Sequence, residues 1–307
     1  MTALIRSSLA RSGDLEQAYA ACRRVAHKYG ANFSVGFRFL PRAKRDAVYA
    51  SYAFCRYVDD VVDETPGTSG LDVRERIDEW EKELERCYAG SPTRPVTLAL
   101  ADTVSRYPIP QSTFAGLIEG CRMDLMKKRY ADFEELLVYS ELVATTISTM
   151  SLAIFGYRGE SALERGRDLA TAFQLTNILR DVGEDLDKDR VYLPFDELSR
   201  FGVREEDLKA KRMTKEFSEL MRFQVQRVRD YYHRAEPLLS LIAPDARRCT
   251  CLMGSVYYRV LQRIEASGYR VFGPRLGLSF GEKLGLVVRT YLEKSPSWVN
   301  MSRRSTA

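Results

Sequence analysis

The stretch Gln174-Leu-Thr-Asn-Ile-Leu-Arg-Asp-Val-Gly-Glu-Asp185 decides how this chain is read. Gln174, Asn177, Asp181 and Asp185 recur at spacings of three, four and four, which on a helix puts two amides and two carboxylates on one stripe. Between them Ile178, Leu179 and Val182 supply an apolar face, so the segment predicts a helix with oxygen donors beside core. An acidic stripe this close to apolar surface is costly through self-repulsion and desolvation unless cations compensate it. Amides and carboxylates are hard oxygen ligands suited to Mg²⁺, with Mn²⁺ as a substitute, and Mg²⁺ characteristically works with one or two carboxylates plus substrate phosphates.

A second acidic turn lies upstream in Tyr52-Ala-Phe-Cys-Arg-Tyr-Val-Asp-Asp-Val-Val-Asp-Glu64, where Asp59 and Asp63 are one helical turn apart and Asp60 adjoins the first. Apolar and aromatic residues fill the preceding turns, so these acids sit where a buried stripe ends. Such like-charge pairs taken singly usually mark a solvated face. Two together predict facing helices that hold several ions around a diphosphate; the competing reading is a pair of ordinary capped and salt-bridged acidic turns. Arg56 lies three residues before Asp59, and Arg180 precedes Asp181. Salt bridging would account for either arginine, and as diphosphate ligands they would add bidentate donors. A diphosphate so held is a good leaving group, and aromatic faces can stabilise the hydrocarbon cation it leaves behind. Phe33, Phe37, Phe39, Tyr49, Tyr52 and Phe54 are read individually as core packing.

Working outward, period-3.6 patterns recur from Leu15 to Ser267 with little β alternation, and the breaks at Thr65–Gly70, Gly90–Pro95, Tyr107–Pro110, Gly156–Gly159 and Phe272–Pro274 are short. The expected architecture is all-α, a single-domain helical bundle over 15–292 with a flexible N-terminal tail (1–14) and a C-terminal tail (293–307). Asp72 to Arg86 predicts a helix with a solvated outer face. The chain has 307 residues, 45% of them apolar, with 47 Lys and Arg against 42 Asp and Glu. That is too apolar and too balanced for disorder, and the net charge of +5 suits anionic small molecules or an anionic bilayer surface. No aromatic-interleaved basic patch points to nucleic acid. Leu136 to Phe155 is the most apolar stretch, interrupted by Ser140, Glu141 and several hydroxyl side chains, and reads as no membrane span. Six scattered cysteines and no secretory signal read as reduced thiols of a cytoplasmic protein; the Arg- and Ser-rich start also admits a short transit peptide. With two histidines and no CxxC pair, any metal must be held by oxygen.

These strings resemble the squalene/phytoene synthases, the head-to-head prenyl transferases. Besides the two acidic clusters, the resemblance is carried by Cys121-Arg-Met-Asp-Leu125, Arg129-Tyr130, Phe133-Glu-Glu-Leu136 and Arg190-Val-Tyr-Leu-Pro194, and it extends from about residue 15 to 292. It implies an all-α isoprenoid-synthase fold with a central hydrophobic cavity and Mg²⁺-bound diphosphates at its mouth. Carried over by motif, Asp59, Asp60, Asp63, Asn177, Asp181 and Asp185 are implied metal ligands, and Tyr52, Arg56, Gln174 and Arg180 line the diphosphate region. Tyr258 and Arg275 are implied further substrate contacts. The implied reaction ionises one allylic diphosphate, captures it on the alkene of a second to give a cyclopropylcarbinyl diphosphate, and rearranges that to a linear hydrocarbon.

The sequence departs from family patterns at Val143-Ala-Thr-Thr-Ile-Ser148, where Thr145 and Ser148 replace glycines and narrow a helix face, and at Asn32-Phe33-Ser34. Phe37 hints at a shorter, C15 substrate, whereas Asp181–Asp185 and Arg190–Pro194 look most similar to carotenoid-pathway members. The expected activity is condensation of two geranylgeranyl diphosphates to phytoene, with C30 products from farnesyl diphosphate as the alternative. A reductive, squalene-forming version would need NADPH, which is not expected here; no Gly-x-Gly-x-x-Gly fingerprint is present, and family members that use NADPH need not carry one. A terpene cyclase would read Asn, Ser or Thr, then Glu in its second stripe, a head-to-tail synthase would repeat Asp-Asp-x-x-Asp, and a non-catalytic scaffold would have lost the acids. Release of a hydrocarbon implies peripheral membrane contact, with no segment basic and amphipathic enough to name it, and no obligate protein partner is evident.

Overall fold

A computed structural model describes residues 12–29, 34–63, 70–292 and 298–299, which form fifteen α-helices, one π-helical turn and no strand. Residues 1–11, Asn32, Phe33 and positions 65–69 of the expected break lie outside them, as does most of the tail after Leu292. In order, the helices are α1 (Ser12–Tyr29), α2 (Ser34–Phe37), α3 (Arg42–Asp63), α4 (Gly70–Tyr88), α5 (Pro95–Arg106), α6 (Gln111–Met126), α7 (Phe133–Ser140), α8 (Thr146–Phe155), α9 (Ser161–Asp187), α10 (Phe195–Arg200), α11 (Glu205–Lys209), α12 (Lys215–Ala235), α13 (Leu238–Leu241), α14 (Pro244–Ala266) and α15 (Phe280–Leu292). The expected domain resolves into two compact units. One comprises residues up to Met126 with Thr149–Tyr157 and Ala243–Cys249; the other comprises Lys127–Ser148, Arg158–Ile242 and residues from Thr250 onward.

In the first unit α3 packs on α1, α5 and α6. Its buried positions Phe54, Val58 and Val61 follow helical spacing. Phe54 meets Trp80 and Phe114 edge-on at 5.6 and 5.3 Å, and Phe37 meets Tyr49 edge-on at 5.9 Å. Phe37 is thus a buried packing residue of this unit, 5% exposed. Helix α4 departs from the expected solvated face at Glu83, which is 1% exposed. Its carboxylate accepts from Thr93 N, Arg94 N and the hydroxyls of Thr93 and Thr97 at 2.6–3.2 Å, closing the N-terminal turn of α5 where Pro95 offers no N–H. These hydrogen bonds outweigh burial, which acts the other way, and pull Glu83 from 4.5 to about 2.

In the second unit α9 packs chiefly on α12; Leu175, Ile178, Leu179 and Val182 of α9 and Phe217, Leu220 and Val228 of α12 are buried. Helix α7 starts at Asp132, whose side chain accepts from Glu135 N at 2.8 Å, and runs through the π turn Glu141–Thr145 into α8. Phe133–Phe155 is therefore one 23-residue helix, long and apolar enough by composition to cross a bilayer, with a most apolar window of mean hydropathy 1.4 that is 44% buried inside the protein. Its π turn packs on α9, and Ser140, Thr146 and Ser148 are buried. Of the two departures, Thr145 thus falls on the locally widened turn and Ser148 on the α-helix that follows it. Trp298, placed in the expected tail, is 2% exposed and packs on Tyr232, made possible by Gly254, whose missing side chain leaves room for the indole.

Candidate active site

Two stripes of polar side chains emerge, one from each unit. On α3, Tyr52, Arg56, Asp59 and Asp60 lie half-buried on one side of the helix while Phe54 and Val58 face the core. Arg56 forms a short ion pair with Asp60 one turn ahead, and its guanidinium lies 4.7 Å over the Tyr29 ring. The Cys121 thiol of α6 donates to Asp59 Oδ1 at 3.3 Å. Burial first, and then Asp59, push that thiol up, so it stays a neutral donor. Burial also lifts the Tyr52 phenol to about 12 against the opposing pull of Arg56. Asp63 closes α3, and its side chain lies outside the described residues.

On α9 the centre is Asp181. Its carboxylate is gripped by two guanidinium forks: Arg180 Nε and Nη2 at 2.7 and 2.5 Å, and Arg275 Nε and Nη2 at 2.9 and 2.8 Å. Burial pushes Asp181 up, and the two arginines override it, holding the carboxyl below its ordinary range. At Asp181 the compensating charges are the protein's own arginines. Arg180 is itself 7% exposed, while Arg275, on the segment between α14 and α15, is 54% exposed and also reaches Glu184 at 3.7 Å.

Gly183 positions that segment. A Cβ there would lie 2.7 Å from the Val271 carbonyl oxygen and 3.1 Å from Phe272 Cα, so only glycine lets the 271–272 backbone settle on α9. Phe272 stacks on Phe217 at 4.7 Å, fixing the segment from its other side. Arg275 follows three residues on.

Asn177, one turn before Asp181, has a buried Oδ1 with no hydrogen-bond partner. An unpaired buried acceptor costs about 1–3 kcal/mol, and a cation would satisfy it. Gln174 and Asp185 are half-buried on the same stripe, Asp185 beside Arg190, Val191 and Tyr192. Among the described residues no group of three or more His, Cys, Asp or Glu side chains converges. The donor set on α9 nonetheless fits a hard cation in kind, because every donor is oxygen and one of them is orphaned.

Tyr258 points inward: 5% exposed, it meets Tyr232 edge-on at 5.1 Å, with Arg229 beside its hydroxyl. Its neighbour Tyr257 is the one that stacks on Phe173 at 4.4 Å. The strings around Arg129 and Arg190 hold the end of α9. Val191 N donates to Lys128 O and Phe195 N to Tyr130 O, both at 2.9 Å, and Arg129 forks onto Asp189 and Glu205. Tyr130, Tyr139 and Tyr192 pack ring to ring with centroids 5.4–5.7 Å apart. Sequence reasoning missed Cys121 as a partner of Asp59, Gly183 as the seat of the Arg275 segment, and Tyr257. The Asp181-x-Gly183 spacing alone could have flagged the second, since a glycine inside a helix otherwise costs stability.

The site is thus an amide-and-acid stripe on one helix of an all-α chain, with two arginines clamped on its central carboxylate. The sequence matches the squalene/phytoene synthase family over residues 26–282, and the chain belongs to that family. It is 40% identical over 270 residues to a phytoene synthase from Arthrospira platensis, covering 84% of this chain and 87% of the relative. It is 36% identical over 282 residues to the 15-cis-phytoene synthase of Synechococcus elongatus, covering 88% and 91%. Among solved structures it is similar to a ligand-bound dehydrosqualene synthase, with a TM-score of 0.84 at 28% identity over 91% of this chain and 97% of that one. A squalene synthase from Alicyclobacillus acidocaldarius aligns with a TM-score of 0.78 at 32% identity, covering 84% and 97%. The architecture is accordingly the all-α isoprenoid-synthase fold, and the family is one of head-to-head prenyltransferases.

Proposed function

We propose that this chain is a Mg²⁺-dependent phytoene synthase that joins two geranylgeranyl diphosphates head to head, through a cyclopropylcarbinyl diphosphate, to phytoene. The observation that carries the reading is the family membership with 35–40% identity to proteins named phytoene synthase, over 84–90% of this chain. Asp59, Asp60 and Asp63 on α3, and Asn177, Asp181 and Asp185 on α9, are the residues assigned to the metal. Bound there, Mg²⁺ or Mn²⁺ supplies charge neutralisation of the diphosphate as it leaves.

The rest is work for the protein's own groups. Arg180 and Arg275 present forks that match a phosphate as well as a carboxylate, so an arriving diphosphate competes with Asp181 for them. Exchange of those partners frees Asp181 at the moment the substrate's charge enters. Arg56 makes the same exchange with Asp60. Tyr52, neutral at any physiological pH, donates a hydrogen bond without adding charge. NADPH is not required, because the product is not reduced. The protein works in the cytoplasm against a membrane surface.

A second reading, C30 synthesis from farnesyl diphosphate, is favoured by the names of the similar solved structures. Both are tested by incubating purified protein with Mg²⁺ and each prenyl diphosphate, with and without NADPH, and mass analysis of the extracted hydrocarbons. A C40 hydrocarbon with a central conjugated triene, from geranylgeranyl diphosphate without NADPH, is the expected result. A C30 product alone would move the assignment, and no coupled product from either would overturn it.

A further inference from the structure

Helix α15, Phe280-Gly-Glu-Lys-Leu-Gly-Leu-Val-Val-Arg-Thr-Tyr-Leu292, has its amphipathicity turned outward. None of its residues is buried, and its large apolar side chains are exposed: Phe280 83%, Leu284 51%, Val288 50%, Tyr291 60% and Leu292 79%. At 100° per residue these five fall on one face. The opposite side, with Glu282, Lys283, Leu286, Val287 and Thr290 half-buried, is the attached one: Glu282 pairs with Arg263 of α14 at 2.6 Å and caps Ser279 N and Oγ at 2.8 Å each. A helix held by one face and showing a contiguous apolar one on the other is built to meet something apolar.

We infer that α15 is the membrane-contact element of this protein, lying flat in the interface of an anionic phospholipid bilayer. Its 13 residues span about 20 Å, too short to cross a bilayer and suited to lying in its plane. The charge agrees: within the helix Lys283 and Arg289 are set against one acid, Glu282, which is already paired with Arg263. The position agrees as well. Phe280 begins five residues after Arg275, so the surface that meets lipid is tethered to the arginine that grips Asp181. The contact itself stands on the exposed face and its charge; its sense, delivery of a lipophilic substrate and product, rests on the proposed function.

The test is co-sedimentation of the full chain with vesicles of mixed phosphatidylglycerol and phosphatidylcholine, and with phosphatidylcholine alone, both free of prenyl diphosphate. The variant Leu284→Asn/Val288→Asn leaves the attached face untouched, and circular dichroism checks its fold. The parent is expected to sediment with the anionic vesicles and to be weakened by salt, and the variant to bind at least about tenfold more weakly. Turnover of detergent-dispersed geranylgeranyl diphosphate is expected to be the same for both, so a protein lacking that activity would leave the vesicle result intact. Equal binding by variant and parent, or a parent that stays in the supernatant, overturns the inference. So does a parent that is dimeric in ultracentrifugation, becomes monomeric in the variant and ignores vesicles, which would give the face to a second copy of the chain.

Discussion

Replacing Gly183 by alanine sets two effects of opposite sign against each other. A helical glycine-to-alanine change gains about 1 kcal/mol when nothing else happens. At Gly183 the new methyl carbon would sit 2.7 Å from the Val271 carbonyl oxygen and 3.1 Å from Phe272 Cα. Both are backbone atoms, so no rotamer change relieves the overlap, and overpacking of this kind costs about 1–3 kcal/mol. Gly285 on α15 is the internal control, since a Cβ there meets nothing within 4 Å. Gly285→Ala is expected to stabilise, and Gly183→Ala to fall below it by the overpacking cost. With an unfolding entropy of about 0.6 kcal/mol per kelvin for 307 residues, the two variants should melt about 2–5 °C apart. The displaced segment carries Arg275, so kcat/KM for the prenyl diphosphate should drop about tenfold or more in Gly183→Ala alone. Calorimetry and steady-state turnover read the two effects separately. If Gly183→Ala melts with Gly285→Ala and turns over at the parent rate, the close approach of the 271–272 backbone to α9 is wrong.

Asp181→Asn should abolish turnover at saturating Mg²⁺. It should also lower stability, because Arg180, almost fully buried, loses the carboxylate that balances it; parent-rate turnover would remove Asp181 from the metal assignment. Arg275→Gln should barely move the melting temperature, since a half-exposed pair contributes at most about 1 kcal/mol, while kcat/KM falls by roughly 10–100-fold through loss of a charge-assisted fork. Unchanged kcat/KM would leave Arg275 a purely structural partner of Asp181. Glu83→Ala should destabilise by about 2–3 kcal/mol by stripping acceptors from the start of α5, and a variant as stable as the parent in urea would sink that reading. Because folding lowers the Glu83 carboxyl from 4.5 to about 2, its contribution is complete above 4.5 and is lost as pH falls toward 2. The stability difference between parent and Glu83→Gln, followed by urea unfolding, should shrink over that window.

The sequence by itself determined the helical class, the two acidic turns and the family. These are properties of spacing: a period of 3.6 places Asn177, Asp181 and Asp185 on one edge whatever surrounds them, and the core residues between them mark the opposite side. It also carried the departure at Thr145 and Ser148, though not the π turn that the chain forms there, because hydrogen-bond register inside a helix leaves no trace in composition. What only the tertiary structure decided depends on partners distant in the chain. Self-repulsion along the α9 stripe was legible, and so was Arg180 as a salt-bridge partner for Asp181; that Arg275, 94 residues on, adds a second fork was not. Glu83 looked like one more acid on a solvated helix until the N-terminus of α5 was brought to it. Tyr257 and Tyr258 are adjacent in sequence and about 100° apart on a helix, and only the packing of Phe173 and Tyr232 says which ring faces which neighbour. Helix α15 escaped the periodic reading because its glycines dilute the pattern, and because an apolar stripe in sequence announces burial, whereas here the protein turns that stripe outward.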